Sequence, residues 1–199
     1  MRMLENKSNE GEKDKELMLL LKNGHDPALN EIMLRYKERL FAFIRGYIRD
    51  PDISRDILQE VFVKLYFKAK TYNPNYGFST WIHKIAINLC YDHNKKQKLR
   101  RLFSLDSEVV GESSLSYHET IEDKNSNLEN LVESRQELFI LEKEIEKLPH
   151  KLKTSLILFV LEGNSQEECA KILNITPKAL EARVYRARNI LAKKMAIRF

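Results

Sequence analysis

With 199 residues and 43% apolar content, the chain is long enough for one domain or two small ones with hydrophobic cores. No apolar run approaches the roughly 20 residues a membrane span requires, and the charged N-terminus lacks the apolar stretch of a signal peptide, so a cytoplasmic protein without membrane insertion is expected. The net charge is +5, but its distribution tells more than the sum.

Residues 1–13 are polar, of mixed charge, and read as a disordered tail. A first helix is expected from Lys15 to Lys22, stopped by Asn23-Gly24. Asp26-Pro27 offers a cap and a first-turn proline for a long helix with an apolar stripe through Leu29, Ile32, Met33, Tyr36, Leu40, Phe43, Ile44 and Tyr47. Asp50-Pro51-Asp52 breaks it. The next helix, Ile53 to about Lys70, turns Ile57, Leu58, Val61, Phe62 and Leu65 inward. Its other side carries Asp56, Gln59, Glu60 and Val63, which spacings of three and four gather into one exposed patch.

A loop rich in Tyr and Asn, Thr71 to Phe78, precedes a helix that Ser79 caps and that holds Trp81, Ile82, Ile85, Ala86 and Leu89 inside. Tyr72, Tyr76, Phe78 and Trp81 lie beside a polar stripe, Lys84, Asn88, Tyr91 and Lys95, at steps of four, three and four. Aromatic rings next to cations can hold unstacked bases, at roughly 1 to 3 kcal/mol per base, so single-stranded nucleic acid fits here. The competing reading makes Trp81 and Phe78 core residues and the lysines a solvated face. From Lys84 to Arg101 six basic residues stand against Asp92; Ser104 to Ser134 then carries eight acids against Lys124. With no sustained apolar period from Gly111 to Asn127, residues 103–127 read as a flexible acidic linker.

The second unit, residues 128–199, begins with a helix ending at Pro149 and another from Lys151 to Leu161. Ser165 and Glu168 then form a capping box, Asn174 suits a left-handed turn, and Thr176-Pro177 starts a further helix. This is the outline of a helix-turn-helix. Ala179, Leu180, Val184 and Ala187 face inward on its second helix. Lys178, Arg183, Arg186 and Arg188 lie outward or beside that face, with Glu181 the one acid among them, so the helix could enter a major groove of duplex DNA. Few glycines and prolines and long 3.6-residue periods make the whole chain all-α: two small helical domains joined by the linker. Cys90 and Cys169 stand apart as small core residues, without metal spacing. No nucleotide-binding, zinc-protease or nucleophile-elbow motif occurs, so neither a catalytic residue nor a cofactor is expected.

The run Asp52-Ile-Ser-Arg-Asp-Ile-Leu-Gln-Glu-Val-Phe-Val-Lys-Leu-Tyr66, followed by Phe78-Ser-Thr-Trp-Ile-His-Lys-Ile-Ala-Ile-Asn88, resembles the polymerase-binding and promoter-melting segments of bacterial extracytoplasmic-function (ECF) sigma factors. Leu148-Pro149, Glu162 to Ala170 and Arg183-Val-Tyr-Arg-Ala-Arg188 are similar to the domain of that family that reads the minus thirty-five element. The resemblance divides the chain into a polymerase-binding and minus ten domain, residues 14–102, and a minus thirty-five domain, residues 128–199. It implies core RNA polymerase as a partner, docked on Asp56, Gln59 and Glu60. Promoter DNA is the second, with a flipped minus ten base held by the Tyr72 to Phe78 loop and Asn88, and phosphates followed by Lys95, Lys96, Arg100 and Arg101. The family usually has an anti-sigma factor as well.

The chain departs from the family pattern at Glu181 and Ala182, where a basic and a small or hydroxyl residue are usual. Arg183 and Lys178 are left as the best groove contacts. Gln166 and Cys169 replace an aromatic residue and an isoleucine. A stand-alone dimeric helix-turn-helix regulator is the alternative function, but it leaves the Asp56-Gln59-Glu60 patch and the aromatic loop unused. A nucleic-acid-processing enzyme lacks any acid/base or metal cluster.

Overall fold

Asp-Pro pairs sit at the starts of two helices, yet only one aspartate caps. The computed structural model describes residues 2–75, 77–104, 128–161 and 165–196. Helix α2, Pro27–Ile48, follows Asp26, whose side chain makes no cap bond and instead accepts from the Tyr66 hydroxyl, keeping that phenol protonated to higher pH. Helix α3, Pro51–Lys68, follows Asp50, whose carboxylate accepts from the N–H groups of Asp52 and Ile53, each at 2.9 Å. Between them Arg49 is left-handed, φ 69°, a conformation costing a non-glycine residue about 1–2 kcal/mol. Its N–H closes α2 on the Arg45 carbonyl at 2.9 Å, and the Asp50 cap offsets the strain on the other side.

Helix α1 spans Arg2–Lys22, so the segment expected to be a disordered tail is helical. The second half of α1 is held by a buried anchor that the charge pattern hides. Asp14 is 4% exposed, accepts from Arg35 Nε at 3.0 Å and takes the Tyr36 hydroxyl in a short hydrogen bond. Leu17, Met18 and Leu21 follow on the same buried side. Burial first, and Asp14 second, push the Tyr36 phenol far above its ordinary range.

A 3-10 turn, Ala69–Thr71, leads to helix α4, Phe78–Ser104. Ser79 lies inside its first turn rather than before it, and its carbonyl accepts from the His83 ring at 2.6 Å. Helices α1 to α4 pack on one another around Phe43, Ile44, Val61, Leu65 and Ile82. The linker expected over residues 103–127 lies outside the described residues from 105 onward.

Helices α5, Leu128–Lys147, α6, His150–Leu161, α7, Gln166–Leu173, and α8, Pro177–Ala196, form the second group. Thr154 to Leu158 are all buried, so α6 is covered nearly all round, as a central helix must be. The groups meet: α6 lies on α2 and α7 on α4. One apolar cluster runs from Leu17 to Leu191 through both. No strand occurs among the described residues.

Candidate nucleic-acid and partner interfaces

The Asp50 cap sets the phase of α3. Ile57, Val61, Phe62 and Leu65 are buried, which leaves Asp56, Gln59, Glu60 and Val63 together in solvent. Glu60 pairs with Lys64 at 3.1 Å, but an ion pair this open is worth at most about 1 kcal/mol and yields easily to another partner. One turn beyond Val63, Phe67 is 76% exposed and its neighbour Tyr66 is 41% exposed. Sequence reasoning missed both; the spacing of four from Val63 was the available signal.

The aromatic loop differs from expectation. Tyr72 and Phe78 are each 2% exposed, so neither can stack on a base as they stand. Phe78 meets Tyr36 edge-on at 5.0 Å, and Tyr72 lies 5.4 Å from the half-buried Trp81. These rings form a core wedge that seats the start of α4 against α1 and α2. Tyr76 lies outside the described residues. What reaches the surface is the stripe on α4, where Lys84, Asn88, Tyr91 and Lys95 are all exposed on one side.

The helix-turn-helix forms from local signals. Ser165 accepts from the Glu168 N–H at 3.2 Å, and the Glu168 carboxylate takes the Ser165 N–H at 2.9 Å. Asn174 is left-handed, φ 53°, and the partly buried Ile175 plugs the turn. Thr176 Oγ1 accepts from the Ala179 N–H at 3.2 Å. Gln166 Nε2 donates to the Pro177 carbonyl at 3.0 Å, tying the start of α7 to the start of α8. On α8, Leu180, Val184, Ala187 and Leu191 are buried. Lys178, Glu181, Ala182, Arg186 and Arg188 are exposed, whereas Arg183 is half-buried on the flank. Tyr185, 66% exposed among them, was not singled out from sequence, although an aromatic ring among basic residues was the available signal.

Cys90 and Cys169 are buried as expected, and burial raises the Cys90 thiol to about 12, which leaves it unreactive. Among the described residues no group of His, Cys, Asp and Glu could hold a metal ion, and no helix is long and apolar enough to cross a membrane.

Residues 32–100 match the model of sigma-70 region 2, and residues 138–191 that of sigma-70 region 4. The chain is 30% identical over 175 residues to the ECF RNA polymerase sigma factor SigW of Bacillus subtilis, covering 88% of this chain and 92% of that protein. The chain belongs to the ECF sigma factors.

To the ECF sigma-E factor of Escherichia coli K12 this sigma factor is 28% identical, covering 92% of this chain and 94% of the relative. Its fold is that of CnrH, solved in complex with the cytosolic domain of CnrY, with a TM-score of 0.63 and 20% identity over 93% of this chain and 98% of that one. The sigma factor RpoE of Bartonella quintana, solved with the anti-sigma factor NepR, gives a TM-score of 0.57 at 20% identity, covering 84% and 96%. Helices α2 to α4 thus fall in region 2, and α6 to α8 with the second half of α5 in region 4. The function is that of an RNA polymerase sigma factor, in a family of transcription factors rather than enzymes, and the stand-alone regulator is set aside.

Sequence reasoning gave no account of how regions 2 and 4 of this sigma factor meet. Arg49 Nη1 lies 3.1 Å from Glu142, Tyr47 Oη lies 2.6 Å from His150 Nδ1, and the Tyr91 ring rests 4.5 Å from that of His150. Beside this seam an apolar cavity of about 720 Å³ is lined by Phe41, Leu138, Leu141, Ile157 and Val160.

Proposed function

We propose that this sigma factor captures core RNA polymerase with the α3 patch Asp56, Gln59, Glu60 and Val63, and reads promoter DNA with its two units in turn. The first unit is assigned residues 14–102, the linker 103–127 and the second unit 128–199. Carboxylates on an open helix face favour a basic partner and speed its approach more than they add affinity. Lys84, Asn88, Tyr91 and Lys95 would hold the melted minus ten strand, with Tyr72, Phe78 and Trp81 as the framework that positions the loop carrying Tyr76. Flipping a base costs a few kcal/mol, which hydrogen bonds and stacking offset. Lys178, Arg186 and Arg188, with Arg183 at the flank, would meet the minus thirty-five duplex.

The observation that supports this reading most directly is the exposed acidic and polar face of α3, inside the stretch that matches region 2, with no helix among the described residues covering it. A cytoplasmic location and an anti-sigma partner follow the same reading. The test is copurification with bacterial core polymerase followed by run-off transcription on host genomic fragments, with and without the chain. Stable capture and new, specific start sites are expected. Failure to bind polymerase, or start sites unchanged by the chain, would overturn the reading.

A further inference from the structure

Of the three titratable groups on helix α6, His150, Lys151 and Lys153, the first and last turn toward the first unit. Lys153 is 2% exposed. Its Nζ makes no hydrogen bond among the described residues and sits 4.4 Å from the centre of the Tyr47 ring on α2. The ring face attracts a cation but does not replace the hydration an ammonium loses on burial. His150, one turn earlier, meets the Tyr47 hydroxyl at 2.6 Å on Nδ1, with Thr154 Oγ1 at 3.3 Å. Burial pushes the Tyr47 phenol well above its usual range, so the hydroxyl stays protonated and can pair with Nδ1 in either tautomer of a neutral ring.

The surroundings offer little to hold positive charge. Lys153 faces Arg49 after α2, Cys90 and Lys98 from α4, and Glu146 from α5; His150 faces Tyr47, Tyr91, Lys151 and Lys153. Glu146 is the acid in this set, and Glu142 is drawn to Arg49. Tyr91 and Lys95, both exposed, line a cavity of about 250 Å³ together with His150 and Lys153, so α6 borders one end of the polar stripe on α4.

We propose that the seam between the two units is a proton-operated latch: it is tightest when Lys153 and His150 are neutral, and their protonation releases α6 from α2 and α4 and frees the exposed Tyr91 ring from its contact with His150.

Burial is the main cause that lowers Lys153 from 10.5 to about 8, and it lowers His150 below 6.5. The docked state therefore binds fewer protons than the parted one, and docking strengthens as pH rises. Lys153 acts between about pH 10.5 and 8; below that its penalty is complete, and His150 adds its own as pH falls through 6.5. The gap between 10.5 and about 8 corresponds to about 300-fold in the ratio of docked to parted molecules. The effect on DNA rests on the role proposed above for Tyr91, whereas the latch itself does not.

The test is energy transfer between dyes on the full chain, at Lys70→Cys in the 3-10 turn and Lys193→Cys on α8, from pH 9.5 to 5.5. High transfer at pH 9.5 that falls toward pH 5.5 is expected. Lys153→Met should raise the docked-to-parted ratio at pH 7 by up to about 300-fold and flatten the profile above pH 8, and His150→Gln should flatten it below pH 6.5. Transfer in the unaltered chain that is flat across the range, or a profile unchanged by both variants with helicity intact, would overturn the latch; should one variant fail to fold, the other decides. In parallel, a single-stranded oligonucleotide bearing the minus ten sequence mapped by run-off should bind Lys153→Met more weakly than the unaltered chain at pH 7. Altered transfer with unaltered oligonucleotide affinity would keep the latch and remove Tyr91 from the DNA-binding assignment.

Discussion

Helix α3 keeps its acids in water, whereas α6 takes a lysine inside. Both begin beside a proline and both have an apolar side, yet Asp56, Gln59 and Glu60 stay exposed, Glu60 paired with Lys64 of its own helix, while Lys153 is buried against the Tyr47 ring. The difference comes from what lies across from each helix. On α3 a single apolar stripe satisfies the first unit and leaves a face free for an outside partner. On α6 one side serves the helix-turn-helix and the other serves α2, so Lys153 is buried in the seam and is not available for recognition.

The largest expected effect tests the free face. Glu60→Lys should abolish capture of core polymerase in a pull-down and leave the thermal midpoint of the free chain unchanged, since exposed substitutions are usually within about 0.5 kcal/mol. Wild-type capture by this variant would remove the docking assignment. The covered helix should behave the opposite way. Leu158→Ala, at a side chain with no exposure, should destabilise the chain by about 2–5 kcal/mol in urea unfolding, and a change below about 1 kcal/mol would show that α6 is not core.

A third substitution asks whether buried polar anchors differ from buried apolar ones. Asp14→Ala removes the carboxylate that accepts from Tyr36 and Arg35 and should cost about 1–3 kcal/mol, with faster amide exchange along α1. Exchange confined to the site of mutation would mean that α1 is held by Leu17, Met18 and Leu21 alone. The smallest effect is expected at Ser165→Ala, about 1 kcal/mol from the lost cap, visible as a lower midpoint for the second unit. No shift would mean that the Gln166 to Pro177 bond suffices to hold the turn.

The same contrast explains what could be read from sequence. The capping box at Ser165 and Glu168, the turn at Asn174 and the start at Thr176-Pro177 are set by bonds a few residues long, and each appears where local chemistry puts it. The α3 patch was legible because the buried stripe is regular enough to leave one face over. Tyr72 and Phe78 were misplaced because their spacing fits either side of a loop, and the choice depends on Tyr36, which lies more than thirty residues away. Asp14 hid among charges whose average looks disordered. His150 and Lys153 owe their burial to a partner unit more than fifty residues earlier, and no local pattern carries that.

The continuous core also bears on how the chain is made. All of α1 to α4 has left the ribosome before α6 exists, and units tend to fold as they emerge, at about 5–20 residues per second. For some seconds the nascent first unit must therefore display the seam face of Tyr47 and Tyr91 to water and to any chaperone that samples apolar surface. The sigma factor is born with this seam open, and synthesis of its own second half is what first closes it.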